Sequence, residues 1–153
     1  MDPVAIVRTA AHLPPVLGVA ALAAQRVLTR SSRPQASTNA AGAALAAAGL
    51  TVNLLGQREM KRADTSMNPI DPTKARTLVS GGVYQVTRNP MYVGIVLVLV
   101  GHALRRRDPK ALLPILPLLA VLDGVQIPLE EEALRATFGG EYGDYSAGVR
   151  RWL

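Results

Sequence analysis

The chain predicts an all-α integral membrane protein with about four transmembrane helices and a polar C-terminal tail. Three observations carry that expectation. Apolar residues make up 49% of the 153, with aromatics at only 4%, too apolar and alanine-rich for an ordinary small soluble domain. Charged residues still reach 18%, too many for a chain lying wholly in lipid. They gather in short segments between apolar runs, which is how membrane-crossing helices joined by basic loops read. The length suits one domain over 1–153. Its N-terminal helices cover 1–56, and a loop, a helical hairpin and the tail cover 57–153.

The net charge of +6 raises nucleic acid as a partner. The positive residues are divided among several inter-helix segments, however, and form no single stripe with interleaved aromatics. That distribution suits anionic lipid headgroups and disfavours nucleic acid. With no cysteine the chain has no disulfide, thiolate metal ligand or cysteine nucleophile, and no metal site is expected. The start reads as a poor secretory signal, because Asp2 precedes any positive charge and Pro14-Pro15 interrupts the apolar run.

The first apolar segment runs from about Pro3 to Leu28 and contains Arg8, His12 and the two prolines. Either residues 3–13 lie along the interface and 14–28 cross, or one kinked helix spans. His12 is expected at the interface. After a basic link, Arg30 to Pro34, the second segment runs from about Ala36 to Leu55. Gly42, Ala46, Gly49 and Asn53 share one helical face there, so a neighbouring helix can approach closely and the asparagine can bond across to it.

From Gln57 to Val79 the chain turns polar, with Asn68-Pro69 and Asp71-Pro72 as turn signals. A connection this long tends to be functional, and it is expected as an ordered loop over a site. The third segment, about Pro90 to Leu104, is nearly continuous aliphatic. At 1.5 Å per residue it falls short of the roughly 30 Å hydrocarbon core, which suits a hairpin arm or a thinned bilayer. His102, beside Arg105-Arg106-Arg107, is expected to face headgroups, and Asp108-Pro109 to turn the chain.

The fourth segment, about Ala111 to Leu129, carries Pro114, Pro117 and Pro128, with Asp123 and Gln126 at i, i+3. An acid inside an apolar helix is a candidate functional residue. Glu130-Glu131-Glu132 ends the apolar stretch, and helix continues to a glycine cap at Gly139. Glu131 stands i, i+4 to Arg135, the spacing of a surface pair. Tyr142, Tyr145 and Val149 then share a face, and Arg150-Arg151-Trp152 is expected at the membrane surface. Lys and Arg divide almost evenly between the two sides of such a bundle, so charge alone leaves its orientation open.

The stretch from Gly81 to Gly94, GGVYQVTRNPMYVG, stands apart. Apolar packing alone does not call for two glycines, two tyrosines and a lone arginine at the mouth of an aliphatic helix. An arginine there has an anionic partner or a function, and Asn89-Pro90 fits a helix start. If Arg88 and the glutamates lie on one side of the membrane, they can build one interfacial pocket holding both signs of charge. Such a pocket suits a zwitterionic ligand, with arginine gripping a carboxylate and a glutamate accepting from ammonium or hydroxyl groups.

These blocks, read in order, resemble the isoprenylcysteine carboxyl methyltransferases and the related membrane phospholipid methyltransferases. They are Arg76-Thr77-Leu78-Val79, Gly82-Val83-Tyr84 and Arg88-Asn89-Pro90-Met91-Tyr92-Val93-Gly94, then Glu130-Glu131-x-x-Leu134, Phe138-Gly139, Glu141-Tyr142, Tyr145, Val149 and Arg151-Trp152. The resemblance covers roughly Arg76 to Leu153 and implies an integral-membrane enzyme using S-adenosylmethionine, with an interfacial active site on the cytoplasmic side. It implies that Leu78, Val79, Tyr84, Asn89, Pro90, Met91, Tyr92 and Glu130 hold the cofactor and that Arg88 sits at the reaction centre. Gln126 occupies the position of a substrate-recognising arginine and, with Asp123, is the substrate candidate. Asn89 stands where the family usually has histidine, and Arg76 where the eukaryotic enzymes have one.

Methyl transfer from a sulfonium is an in-line displacement governed by alignment and charge placement. A carboxylate acceptor needs no base and would be oriented by Arg88. An amine or thiol must lose a proton, for which Glu131 and Asp123 are the candidates. The acceptor is expected to be a membrane lipid or lipophilic small molecule. Two rival readings remain at this level. One is an NADPH-dependent sterol-reductase-like enzyme with Arg58, Lys61 and Arg62 for the extra phosphate. The other is a non-catalytic lipid-binding membrane protein. Oligomeric state is open.

Overall fold

The computed structural model describes residues 13–29, 35–63 and 77–153, which form helices and no strand. In order these are α1 (Leu13–Leu28), α2 (Ala36–Arg62), a 3-10 turn (Gly82–Gln85), α3 (Pro90–Arg106) and a second 3-10 turn (Pro109–Leu112). Then come α4 (Ile115–Val121), a π-helical turn (Leu122–Gln126), α5 (Ile127–Phe138) and α6 (Gly140–Gly148). Arg8, His12, the link Arg30 to Pro34 and residues 64–76, including Arg76, lie outside the described residues.

Among the described residues, two stretches are long and apolar enough to cross a membrane, Ala36–Arg62 and the continuous run Pro109–Phe138. Pro14 and Pro15 occupy the first turn of α1, where a missing N–H leaves no intrahelical bond unmade. The second helix runs to Arg62, two turns beyond the expected end near Leu55. Gln57 to Arg62 are good helix formers, and a bond from Gln57 Nε2 to Asn53 Oδ1 (2.6 Å) and a Glu59–Arg62 pair (3.1 Å) support the extra turns. Arg58, Lys61 and Arg62 therefore belong to a helix end, not to the loop.

The second and third helices lie antiparallel along a glycine seam. Gly42, Gly49 and Gly56 recur every seven residues on α2 and are all buried. Gly49 meets Gly94 so closely that a Cβ on either would lie 2.6 Å from the other's carbonyl oxygen. Gly42 meets Gly101 in the same way, one heptad along, and Asn53 Nδ2 donates to the Met91 carbonyl at 3.1 Å. The packing face read from the sequence is thus present, with Gly56 extending it. A seven-residue repeat keeps one seam facing its partner along the helix pair.

The run from Pro109 to Phe138 bends its hydrogen bonding where the sequence demands it. Pro128 has no N–H to offer the carbonyl four residues back, and the chain widens into a π turn just before it. Gly139, at φ +52, ends α5. Val149 falls past the end of α6 in extended backbone, so it does not share a helical face with Tyr142 and Tyr145 as expected. Ala21, Tyr92, Leu99, Ile115, Leu118, Leu122 and Ile127 form the apolar core, with Trp152 against it.

His102 is half-buried and reaches back to α1. Its Nδ1 lies 2.8 Å from Gln25 Oε1, and the fully buried Gln25 donates through Nε2 to the carbonyls of Leu99 (3.1 Å) and Ala111 (2.7 Å). Thr29, next on α1, accepts from Arg106 Nε at 2.7 Å. This buried polar knot joins α1, α3 and the turn before α4, at the opposite end of α3 from Arg88.

Candidate functional site

The loop into α3 is shaped by its own chemistry. Gly82 takes φ +58 with the Glu59 side chain pressed against it, where a Cβ would lie 2.9 Å from the Glu59 carboxyl carbon. Only glycine adopts that backbone at no steric cost. The 3-10 turn that follows buries Tyr84, whose carbonyl accepts from the Tyr145 hydroxyl at 2.8 Å. Pro90 opens α3 at its first position, where it needs no donor.

Beneath this loop lies a cavity of about 600 Å³, within the size range of small-molecule sites. One end is polar, with Arg88, Asn89, Tyr84, Glu130, Glu131, Tyr142 and Tyr145 on its wall. The other is an apolar arm between α1 and α3, with Pro14, Pro15, Gly18, Val19 and Leu22 facing Ile95, Val98 and Leu99. Val19 is on the cavity wall and is also 69% exposed on the outer surface, so the arm reaches the apolar exterior.

All eight residues expected to hold a cofactor, Leu78, Val79, Tyr84, Asn89, Pro90, Met91, Tyr92 and Glu130, line this one cavity together with Arg88 and Glu131. Arg88, in the loop before α3, and Glu130, on α5, therefore face the same space. Glu130 accepts on Oε1 from the Tyr92 hydroxyl and from Gln126 Nε2 (2.6 Å), leaving Oε2 free of both donors. The Arg88 side chain is 14% exposed, and its guanidinium pairs with Glu131 Oε1 at 3.1 Å. Its Nε is buried without a hydrogen-bond partner.

Three expectations are corrected. Glu131 is no surface partner of Arg135: it is only 5% exposed, and Arg135 is its longest contact at 3.4 Å. Its carboxylate takes Arg88 and a two-bond fork from Arg151, Nε to Oε1 at 3.1 Å and Nη2 to Oε2 at 3.0 Å. Asp123 lies off the cavity wall and is half exposed; Arg151 Nη1 (3.1 Å) and Trp152 Nε1 (3.0 Å) bond to it. Gln126 is buried behind Glu130, also off the wall. The tail is bound to the loop. Arg88 N donates to the Arg150 carbonyl (2.9 Å), and Asn89 Nδ2 (2.9 Å) and Thr87 Oγ1 (3.0 Å) donate to that of Arg151.

The electrostatics outside the membrane-length helices follow this wiring. The hydrogen bonds to Glu131, foremost, hold the Arg151 guanidinium above its ordinary pKa, so it stays charged. Burial pushes the Tyr84 phenol up, and that of Tyr145 to about 12. Both remain neutral donors at physiological pH.

Sequence reasoning missed the α1 wall of the cavity, Gln57 and Met60 of α2, and the Arg151 fork. The first two carry no local chemical signal, but a paired arginine and tryptophan after two tyrosines is a signal of its own. Among the described residues, membrane-length apolar helices accompany a cavity that is polar at one end and apolar at the other. The phospholipid methyltransferase family description matches residues 37–141, and the chain belongs to that family. It is 30% identical to protein-S-isoprenylcysteine O-methyltransferase B of Arabidopsis thaliana over 108 residues, 66% of this chain and 55% of that one. It thus spans about half the length of that relative. Over 63 residues it is 36% identical to an uncharacterised protein of Haemophilus influenzae, covering 41% of this chain and all of the other. No solved structure matches the chain.

Proposed function

We propose that this protein transfers a methyl group from S-adenosylmethionine to a lipophilic, membrane-embedded acceptor, as an isoprenylcysteine-carboxyl-methyltransferase-like enzyme. The observation that carries the reading is the single cavity with Arg88 and Glu130 on facing walls and an apolar arm leading away from them. The Arg88 side chain and the free Oε2 of Glu130, on the wall of the same cavity, suit a ligand bearing both signs of charge. Bound there, the donor would supply a methyl group activated by a sulfonium.

The chain's own residues would divide the remaining work. Glu130, anchored through one oxygen, would accept from the donor's polar hydrogens with the other. Leu78, Val79, Met91 and Pro90 would cover its apolar surface, with Tyr84, Asn89 and Tyr92 at the polar edge. Arg88 would orient the nucleophile by charge, which is alignment chemistry and not proton transfer. Glu131 already holds guanidinium groups on both oxygens, so it serves better as Arg88's anchor than as a base. With Asp123 off the cavity as well, the arrangement favours an acceptor that arrives as an anion, such as a carboxylate. The arm between α1 and α3 would take its aliphatic part and admit it from the bilayer.

This reading takes α1, α2, α3 and the run from Pro109 to Phe138 as four membrane crossings. The Arg88 end would then lie at one interface, the cytoplasmic one on this reading. The decisive experiment is incubation of the full chain in lipid nanodiscs with methyl-labelled S-adenosylmethionine and a lipid extract, followed by identification of the labelled product. Calorimetric titration with S-adenosylhomocysteine and with NADPH separates the rivals. Binding of NADPH and not S-adenosylhomocysteine would replace this reading with the reductase, and binding of neither with a lipid-binding role.

A further inference from the structure

Arg151 is not on the cavity wall, yet it holds most of what the polar end is made of. Its fork fixes both oxygens of Glu131, and Glu131 Oε1 is the same atom that Arg88 Nη2 reaches at 3.1 Å. From the other direction, the carbonyl of Arg150 accepts from the backbone N–H of Arg88. Two consecutive tail residues thus hold Arg88 at its main chain and, through one carboxylate, at its side chain.

The charge balance shows why a fork is needed. Glu131 is buried, and a buried carboxylate is costly unless well paired. Arg88 gives it one contact, and Arg135 gives a long one from a side chain that is 56% exposed. Arg151 supplies the two parallel bonds that fix the carboxylate's plane, which a lysine's point charge cannot do. The third guanidinium nitrogen is tied to Asp123, so the fork itself cannot swing.

We propose that Arg151 is a positioning residue: acting through Glu131, it sets the orientation in which the Arg88 side chain faces the cavity. Its kinetic consequence rests on the methyltransferase reading above; its structural consequence does not. Arg151→Lys keeps the charge and the backbone bonds of the tail while removing the fork, and Glu131→Gln removes the intermediary.

The test uses the full chain in detergent micelles and two readouts. In the first, phenylglyoxal modification at Arg88 is followed by peptide mass spectrometry, with the exposed Arg105 as the folding control. Both variants are expected to raise the Arg88 rate at least about threefold with the Arg105 rate unchanged, since a released side chain samples open states more often. In the second, methyl transfer is measured for wild type, each variant and the double variant. Arg151→Lys is expected to lower kcat by about tenfold or more, with donor KM little changed, as misalignment does. Adding it to Glu131→Gln should cost little further, because the two act in series. Unchanged Arg88 reactivity, a loss confined to KM, or fully additive losses would each overturn the proposal. A wild type that transfers no methyl would instead remove the methyltransferase reading, and the modification rates alone would then decide the role of Arg151.

Discussion

Tyr92 donates its hydroxyl to Glu130 Oε1, the oxygen that also accepts from Gln126 Nε2. A side chain from α3 and one from the π turn therefore share a single oxygen of a carboxylate on α5, and the second oxygen is left for a ligand. Tyr92→Phe should weaken binding of S-adenosylhomocysteine by roughly tenfold, about the worth of one hydrogen bond to a charged group. Gln126→Leu should do the same to a similar degree. Calorimetry reads both, and undiminished affinity in both would remove Glu130 from the donor site.

Arg88→Ala and Glu130→Ala should each leave a folded protein with methyl transfer reduced by about a hundredfold or more, the usual cost of losing a preorganised charged contact. Arg88→Lys should recover only part of it, because a point charge replaces a planar donor set. Labelled-donor turnover beside circular dichroism checks this. Near-normal turnover in either alanine variant refutes the site.

Gly18 lies on the apolar arm, where a Cβ would meet Ile95 Cγ2 at 3.1 Å. Gly18→Leu should fill the arm and raise KM for the lipophilic acceptor several-fold while leaving S-adenosylhomocysteine binding unchanged. A change in donor affinity with acceptor KM intact would show that the arm is not where the acceptor lies.

Gly49→Ala and Gly94→Ala should each destabilise the protein by about 1–3 kcal/mol, since either methyl would lie against backbone and not against a side chain that can move. Gly143→Ala, on the open face of α6 with nothing within 4 Å, should instead be neutral or mildly stabilising. Thermal unfolding in one detergent compares all three.

The Tyr145 phenol, with its pKa pushed up to about 12 by burial, favours the folded state only while neutral. That stabilisation should be fully present below the unfolded value near 10 and fade as pH rises through about 12. Unfolding free energy should therefore decline between those two values, less steeply in Tyr145→Phe. Ultraviolet absorbance of phenolate, followed with stability, tests the sign.

Tyr84, Arg88 and Tyr92 stand out in the sequence because their chemistry is out of place at the mouth of an aliphatic helix, whereas Leu78, Val79, Pro90 and Met91 come from the family resemblance. Glu130 could be read because an acid closes an apolar run. Glu131 could not: its i, i+4 neighbour Arg135 is local and visible, whereas the arginine that buries it comes from twenty residues on and arrives only through the tail. Gln25 escaped for a similar reason, since one amide in α1 looks incidental until His102 and two carbonyls converge on it. The heptad of glycines on α2 was half visible. Gly42 and Gly49 stood on an evident small-residue face, but Gly56 lay beyond the expected helix end and its role depended on α2 continuing.

Two backbone-to-backbone contacts one heptad apart leave α2 and α3 no freedom to slide. Shifting either by a turn would drive a carbonyl into a side chain at both points at once. Any change of shape between loaded and emptied forms must then come from elsewhere, while the paired helices serve as a fixed jamb.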